Sequence, residues 1–215
     1  MAFHVQLNRH EEKIRSYEAY PIETEKLLLY GSSFFTNWGF ERAREQCSAA
    51  TDGRLQVVNH GFGGATADEL LYYWDRMVRP YRPKAIVFRP GINDINKGLN
   101  AQETFFLTKR LVEFALNDNP DVRLAMVNVF DNAYLTEEKF AQTLEYNHLC
   151  EQYAVSEGNL TYIDLNPFFH ENPADCGTQK KLRNVFVSDG LHLTDDGYVE
   201  MAQYLAPRME SILNR

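Results

Sequence analysis

The chain predicts an α/β domain, with a parallel sheet covered by helices on both faces to make a three-layer α/β/α sandwich. Three observations lead there. Five short apolar runs alternate with longer stretches of helical periodicity. One run, Ala85-Ile86-Val87-Phe88, is apolar without alternation, as a central strand buried on both faces should be. Glycine-marked turns follow the first three runs, at the carboxyl ends where the crevice of such a sheet lies. The 215 residues, 44% of them hydrophobic, are enough for one large core, and no repeat, low-complexity segment or linker divides them. The chain is therefore read as one domain over 1–215, with 1–26 a helical N-terminal extension packed on it.

Residues 8–20 are polar with scattered apolar positions and suit a short outer helix that Pro21 ends. The run 27–30 is the first strand, followed by Gly31-Ser32-Ser33 and a helix over 34–50. Gly53 marks a turn. Residues 55–58 form the second strand, ending in the glycine-rich turn Asn59-His60-Gly61-Phe62-Gly63-Gly64. A helix over 67–78 follows, with Leu70, Leu71, Trp74, Met77 and Val78 on one face. Thr66 and Glu69 have the spacing of a capping box at its start. Pro80 and Pro83 break the chain before the third strand, 85–88, which runs into Arg89-Pro90-Gly91-Ile92-Asn93-Asp94. Then come a helix over 101–116, a strand over 122–129, a long helix over 136–155 and a fifth strand over 160–165. Residues 166–188 are irregular and lead to Asp189-Gly190-Leu191-His192-Leu193. A last amphipathic helix covers 195–213, with Thr194 as N-cap and Asp195 and Asp196 at its positive end.

The net charge of −8 at pH 7 argues against nucleic acid as the main ligand, because phosphate binding needs clustered cations. It also weighs against an anionic membrane surface. No run approaches the roughly 18 apolar residues of a membrane span. The N-terminus is charged and lacks the apolar core of a signal peptide, so a cytoplasmic location is the expectation. Cys47, Cys150 and Cys176 are odd in number and widely spaced, which predicts free thiols, with no disulfide and no metal site. Cys47 and Cys150 are read as small buried hydrophobes. No cofactor is expected, and homo-oligomerisation is left open.

An alcohol nucleophile needs a base, a group that orients the base, and donors for the oxyanion. Ser33 opens a helix, so its N–H points toward developing negative charge. Gly64 offers a second backbone N–H and Asn93 a side-chain amide. His192 can act as base, with Asp189 three residues before it to orient the ring. Singly each has an ordinary reading: a helix-capping serine, a tight glycine turn, turn chemistry at Asn93-Asp94, a surface histidine. Their order, and their placement at one sheet edge, join them.

The blocks LLLYGSSFFTNWG, VVNHGFGGAT, PGIND and SDGLHLTDDGY resemble those of the SGNH hydrolase superfamily, the GDSL esterases and lipases. The resemblance spans about 27–205. It implies a flavodoxin-like SGNH hydrolase fold and a serine hydrolase acting on carboxylic esters. Ser33 would be the nucleophile, His192 the base and Asp189 its partner. Ser33 N–H, Gly64 N–H and the Asn93 amide would form the oxyanion hole. The family's Gly-Asp-Ser is here Gly31-Ser32-Ser33, which leaves Ser32 as an alternative attacking group. The Gly-x-Ser-x-Gly elbow of α/β-hydrolases is absent.

The implied substrate is a small-molecule ester, with a short acyl chain or an O-acetyl group on carbohydrate. Lysophospholipase and thioesterase activities are the alternatives within the superfamily. Outside it stand a non-catalytic ligand-binding relative and a dinucleotide-binding oxidoreductase, whose G-x-G-x-x-G spacing fails at Thr66. Arg89 is expected to pair with a carboxylate at the sheet edge, or to hold an acidic group of a substrate. Asp94 is expected to fix the turn that presents Asn93. His60 either lines the pocket or is structural. Phe34, Phe35 and Trp38 read as core, with an acyl-pocket wall as the other reading. His4, His10, His148 and His170 lack metal spacing and carry no assignment.

Overall fold

The computed structural model describes residues 8–214; His4 lies outside them. Strands β1 (Leu27–Gly31), β2 (Val57–Gly61), β3 (Ala85–Arg89), β4 (Arg123–Val127) and β5 (Leu160–Ile163) form a parallel sheet in the order β2-β1-β3-β4-β5. The helices are α1 (Glu11–Glu18), α2 (Ser33–Trp38), α3 (Phe40–Ala49), α4 (Ala67–Tyr72), α5 (Trp74–Met77), α6 (Ile92–Asn96), α7 (Ala101–Asp118), α8 (Glu137–Ser156), α9 (Asn166–Phe169) and α10 (Asp195–Leu213).

Alternate strand residues divide the core in two. Leu28, Tyr30, Ile86, Phe88, Leu124 and Met126 pack against residues of α1, α4, α5, α7 and α8. Leu27, Leu29, Ala85, Val87, Ala125 and Val127 pack against α2, α3, α9 and α10. This is the three-layer arrangement that the unalternating strands predict, since a strand covered twice can be apolar at every position.

The departures from the sequence reading are local. The predicted helix over 34–50 is two helices, because Gly39 adopts φ +82° and turns the chain between α2 and α3. The helix over 67–78 is interrupted at Tyr73, with a 3₁₀ turn at Arg79–Tyr81 beyond α5. The second strand lies two residues later than expected, at Val57–Gly61, in register with Leu27–Gly31. Asn59, His60 and Gly61 are thus strand and not turn. The Asn59 amide is satisfied partly from outside the sheet: Nδ2 donates to the carbonyls of Phe35 (2.8 Å) and Gly39 (3.0 Å), while Oδ1 accepts from Gly61 N–H (3.0 Å) in the same strand. Buried polar groups are tolerated when bonded, and those partners are tertiary. The short helix α6 lies in the expected turn after the third strand, and α9 lies in the stretch 166–188 expected to be irregular.

Gly61 and Gly31 are what allow α2 to sit on the strand ends. A Cβ on Gly61 would lie 2.5 Å from Thr36 N and 2.6 Å from Phe35 Cβ, and one on Gly31 2.9 Å from the Arg89 carbonyl oxygen. The helix that begins with Ser33 is therefore seated directly on backbone. Gly61→Ala should push α2 off the sheet, costing about 1–3 kcal/mol and lowering turnover; equilibrium urea unfolding reads the first and ester hydrolysis the second. A variant of native stability would mean that α2 is not held by this contact.

Candidate active site

Because β2, β1 and β3 are neighbours, the turns leaving them lie side by side. They carry Gly64, Ser33 and Asn93. Ser33 is the first residue of α2, so its N–H is among those a helix leaves without an internal acceptor. Gly64 adopts φ +76°, a backbone conformation that favours glycine. Neither the Ser33 nor the Gly64 N–H donates to a group among the described residues. Asn93 lies in the first turn of α6, and its Nδ2 donates to the Ala65 carbonyl at 2.9 Å. One amide hydrogen is thereby held and the other is left for a ligand. Asp94 secures both neighbouring turns: Oδ1 accepts from Ala67 N–H (2.9 Å) and Oδ2 from Gly91 N–H (3.2 Å). Burial pushes this carboxyl up to about 7, against the pull of those backbone donors.

His192 arrives from the other end of the chain. An antiparallel pairing holds it, with Val187 N–H donating to the His192 carbonyl (2.8 Å) and Thr194 N–H to that of Val185 (2.9 Å). The helix after it, α10, is tied to α2 by Tyr198 Oη donating to the Phe34 carbonyl (2.8 Å) and to α3 by an Arg42–Asp195 ion pair. His192 Nε2 lies 2.9 Å from Ser33 Oγ, and Nδ1 2.6 Å from Asp189 Oδ2. Asp189 Oδ1 accepts from Leu191 N–H and His192 N–H, both at 2.9 Å. Desolvation works to raise the Asp189 carboxyl, but the donors from Leu191 and His192 outweigh it and hold it below its ordinary value. Ser33, His192 and Asp189 form one hydrogen-bonded line, with Gly64 and Asn93 beside it. Together with Asn37, Gly63, Asn96, Tyr134 and Leu191 they line a cavity of about 310 Å³.

Other expectations resolve differently. Ser32 is buried, its Oγ has no hydrogen-bond partner among the described residues, and it is Ser33 that faces His192. Among the described residues Arg89 pairs with no carboxylate, and it does not line the cavity. It is 2% exposed, its Nε and Nη2 have no partner among the described residues, and its guanidinium lies 4.7 Å from the Phe34 ring centre and 4.4 Å from that of Phe130. Burial lowers it to about 10, still charged at neutral pH. A carboxylate was expected because an arginine at a strand end is usually solvated or paired; here two aromatic faces take that place. His60 is buried, with Nδ1 2.7 Å from the Met77 carbonyl oxygen, and burial lowers it to about 4, so it is structural. Phe34, Phe35 and Trp38 are core. Cys47 and Cys150 are buried, with thiols pushed up to about 12.

Sequence reading missed Asn37, Asn96 and Tyr134 as lining residues. It also missed a buried Asp131–His170 pair at 2.8 Å that ties the loop before Tyr134 to the segment leading to Asp189. Their only signal was proximity to the strand ends. Among the described residues no group of three or more His, Cys, Asp or Glu could share a metal ion, and no helix is long and apolar enough to cross a membrane.

Residues 29–199 match the model of the GDSL-like Lipase/Acylhydrolase family. The chain belongs to that family. It is accordingly a carboxylic ester hydrolase. The GDSL-like fold recurs in solved structures. A Bacteroides fragilis protein assigned as an acylhydrolase is 18% identical, covering 99% of this chain and 100% of its own, with a TM-score of 0.72. A GDSL-like lipase of Bacteroides thetaiotaomicron is 16% identical, covering 94% and 97%, with a TM-score of 0.69. An acetyl xylan esterase, AlAXEase, is 17% identical, covering 86% and 98%, with a TM-score of 0.66. At such identities the likeness is one of fold. Comparison with curated protein sequences gives no match.

Asp94 gives this GDSL-like site a pH signature. Its carboxyl stands at about 7 in the folded chain, against about 3.9 unfolded. Between those values the folded state keeps a proton that the unfolded state has lost. Stability should therefore fall as pH rises from about 4 to about 7, by up to about 1.4 kcal/mol per unit. In Asp94→Asn this contribution to the slope should vanish, as urea unfolding across that range would read; equal slopes in both proteins would refute it.

Proposed function

We propose that the chain hydrolyses small esters with short acyl groups through an acyl-enzyme formed on Ser33. The observation that carries the reading is the Asp189–His192–Ser33 line, with the serine oxygen 2.9 Å from one ring nitrogen and the carboxylate 2.6 Å from the other. Ser33 Oγ attacks the carbonyl carbon while His192 Nε2 takes its proton. Asp189 accepts from Nδ1–H, which fixes the tautomer and stabilises the imidazolium. The oxyanion is received by Ser33 N–H, Gly64 N–H and the second hydrogen of Asn93 Nδ2. His192 then protonates the departing alcohol, and water, activated by the same ring, releases the acid.

The substrate class rests on the cavity. At about 310 Å³ it is at the small end of ligand pockets. Asn37, Asn96, Tyr134 and Leu191 are among its lining residues. A cavity of that size suits a short acyl group, such as an O-acetyl group, better than a long alkyl chain.

Ser33→Ala should abolish ester hydrolysis and labelling by a fluorophosphonate. Asn93→Ala should lower turnover by about 10²–10³. Retained activity in Ser33→Ala would overturn the mechanism. A series of p-nitrophenyl esters should be turned over best at acetate to butyrate; a preference for long chains would refute the substrate class.

A further inference from the structure

The family match begins at residue 29, yet residues well before it reach the site. Just ahead of α1, Arg9 Nε donates to Glu69 Oε1 at 3.0 Å, and Nη2 donates to Glu69 Oε2 and to the Gly64 carbonyl, the latter at 2.9 Å. His10 Nε2 lies 3.2 Å from Glu69 Oε2. Glu69, 1% exposed, also accepts from Thr66 N–H and Thr66 Oγ1, both at 3.0 Å. Those donors hold its carboxyl well below the usual range despite its burial. The carboxylate is thus an anchored point, and the Arg9 guanidinium is a planar fork that spans from it to Gly64.

Gly64 is where such a strut matters. It has no side chain to fix its dihedrals, and the neighbouring Gly63 has none either. A Cβ on Gly63 would meet nothing within 4 Å. On the far side the Ala65 carbonyl is held by Asn93. Arg9 supplies the corresponding hold on the Gly64 carbonyl, and a restrained carbonyl restrains the rotations that aim the N–H of the same residue.

We propose that Arg9 is a positioning residue for the oxyanion hole, so that the segment ahead of the family match contributes to turnover. The inference rests on reading Gly64 N–H as an oxyanion donor. Glu69 neutralises the guanidinium, so Arg9 acts through geometry and not through its field. A donor held in place serves the oxyanion more than the ground-state carbonyl, which places the effect in kcat.

The test compares Arg9→Ala and Arg9→Lys with Asn93→Ala, the double variant and Ser33→Ala, using p-nitrophenyl acetate and a fluorophosphonate. In Arg9→Ala, kcat should fall about tenfold with KM within about twofold. The rate of phosphonylation should fall alongside, since its transition state uses the same donors. Arg9→Lys keeps a charge for Glu69 but not the fork, so its kcat should lie between Arg9→Ala and wild type, with a melting temperature near wild type. Arg9→Ala and Asn93→Ala should be non-additive, because both act on one oxyanion. Wild-type kcat in both Arg9 variants, or strict additivity with Asn93→Ala, would overturn the role of Arg9. Activity in Ser33→Ala would instead overturn the nucleophile assignment, so the two failures are distinguishable.

Discussion

The contact on which the site depends is the seating of α2 on the carboxyl ends of β1 and β2. Gly31 and Gly61 lie in register, and neither leaves room for a methyl group beneath Phe35 and Thr36. That close approach sets how far Ser33 stands from the turns leaving β2 and β3. The crossover from β1 to β2 and the one from β2 to β3 run in opposite directions along the sheet and leave a crevice at the switch between β1 and β3. The side of the site that carries Ser33, Gly64 and Asn93 is therefore a property of three adjacent strand ends. His192, the proposed base, comes from elsewhere: it is placed by a short antiparallel pairing and by α10, which is tied back to α2 through Tyr198 and to α3 through Arg42.

Around this frame polar groups do the aiming, and they split into two kinds. Glu69 and Asp189 have donors enough to stay ionised against desolvation. Asp94, with two turns hanging on it, has donors as well, but there burial dominates and raises the carboxyl to about 7. Three carboxylates within a small region thus differ in proton affinity because donors and burial differ, not because their chemistry does. Arg89 is the opposite case, a cation whose desolvation is met by two aromatic faces and not by an anion.

Much of this was legible in the sequence. The strands showed as unalternating apolar runs, and Ser33, Gly64, Asn93, Asp189 and His192 stood out because each type matches one need of acyl transfer at a strand end. What stayed hidden was tertiary. The two-residue displacement of β2 depends on partners for Asn59 that belong to α2 and to Gly39. The break at Gly39 depends on a positive φ that helical periodicity does not register. Arg9 meets Glu69 across sixty positions of sequence, and nothing near Arg9 distinguishes it from a solvated arginine. Arg89 was assigned a carboxylate because aromatic partners from β4's exit and from α2 have no signature along the chain.

Ser32 shows how a departure from the Gly-Asp-Ser pattern is accommodated. Its side chain is buried and its Oγ is without a partner among the described residues, while its carbonyl accepts from the N–H groups of Phe35 and Thr36 and so starts α2. The backbone at this position works whichever side chain it carries. An unpaired hydroxyl costs about 1–3 kcal/mol, whereas an unpaired carboxylate would cost far more. A carboxylate next to Ser33 would also add negative charge beside the nucleophile. The substitution thus alters the electrostatics under the nucleophile and leaves the hydrogen-bonded line from Asp189 through His192 to Ser33 untouched.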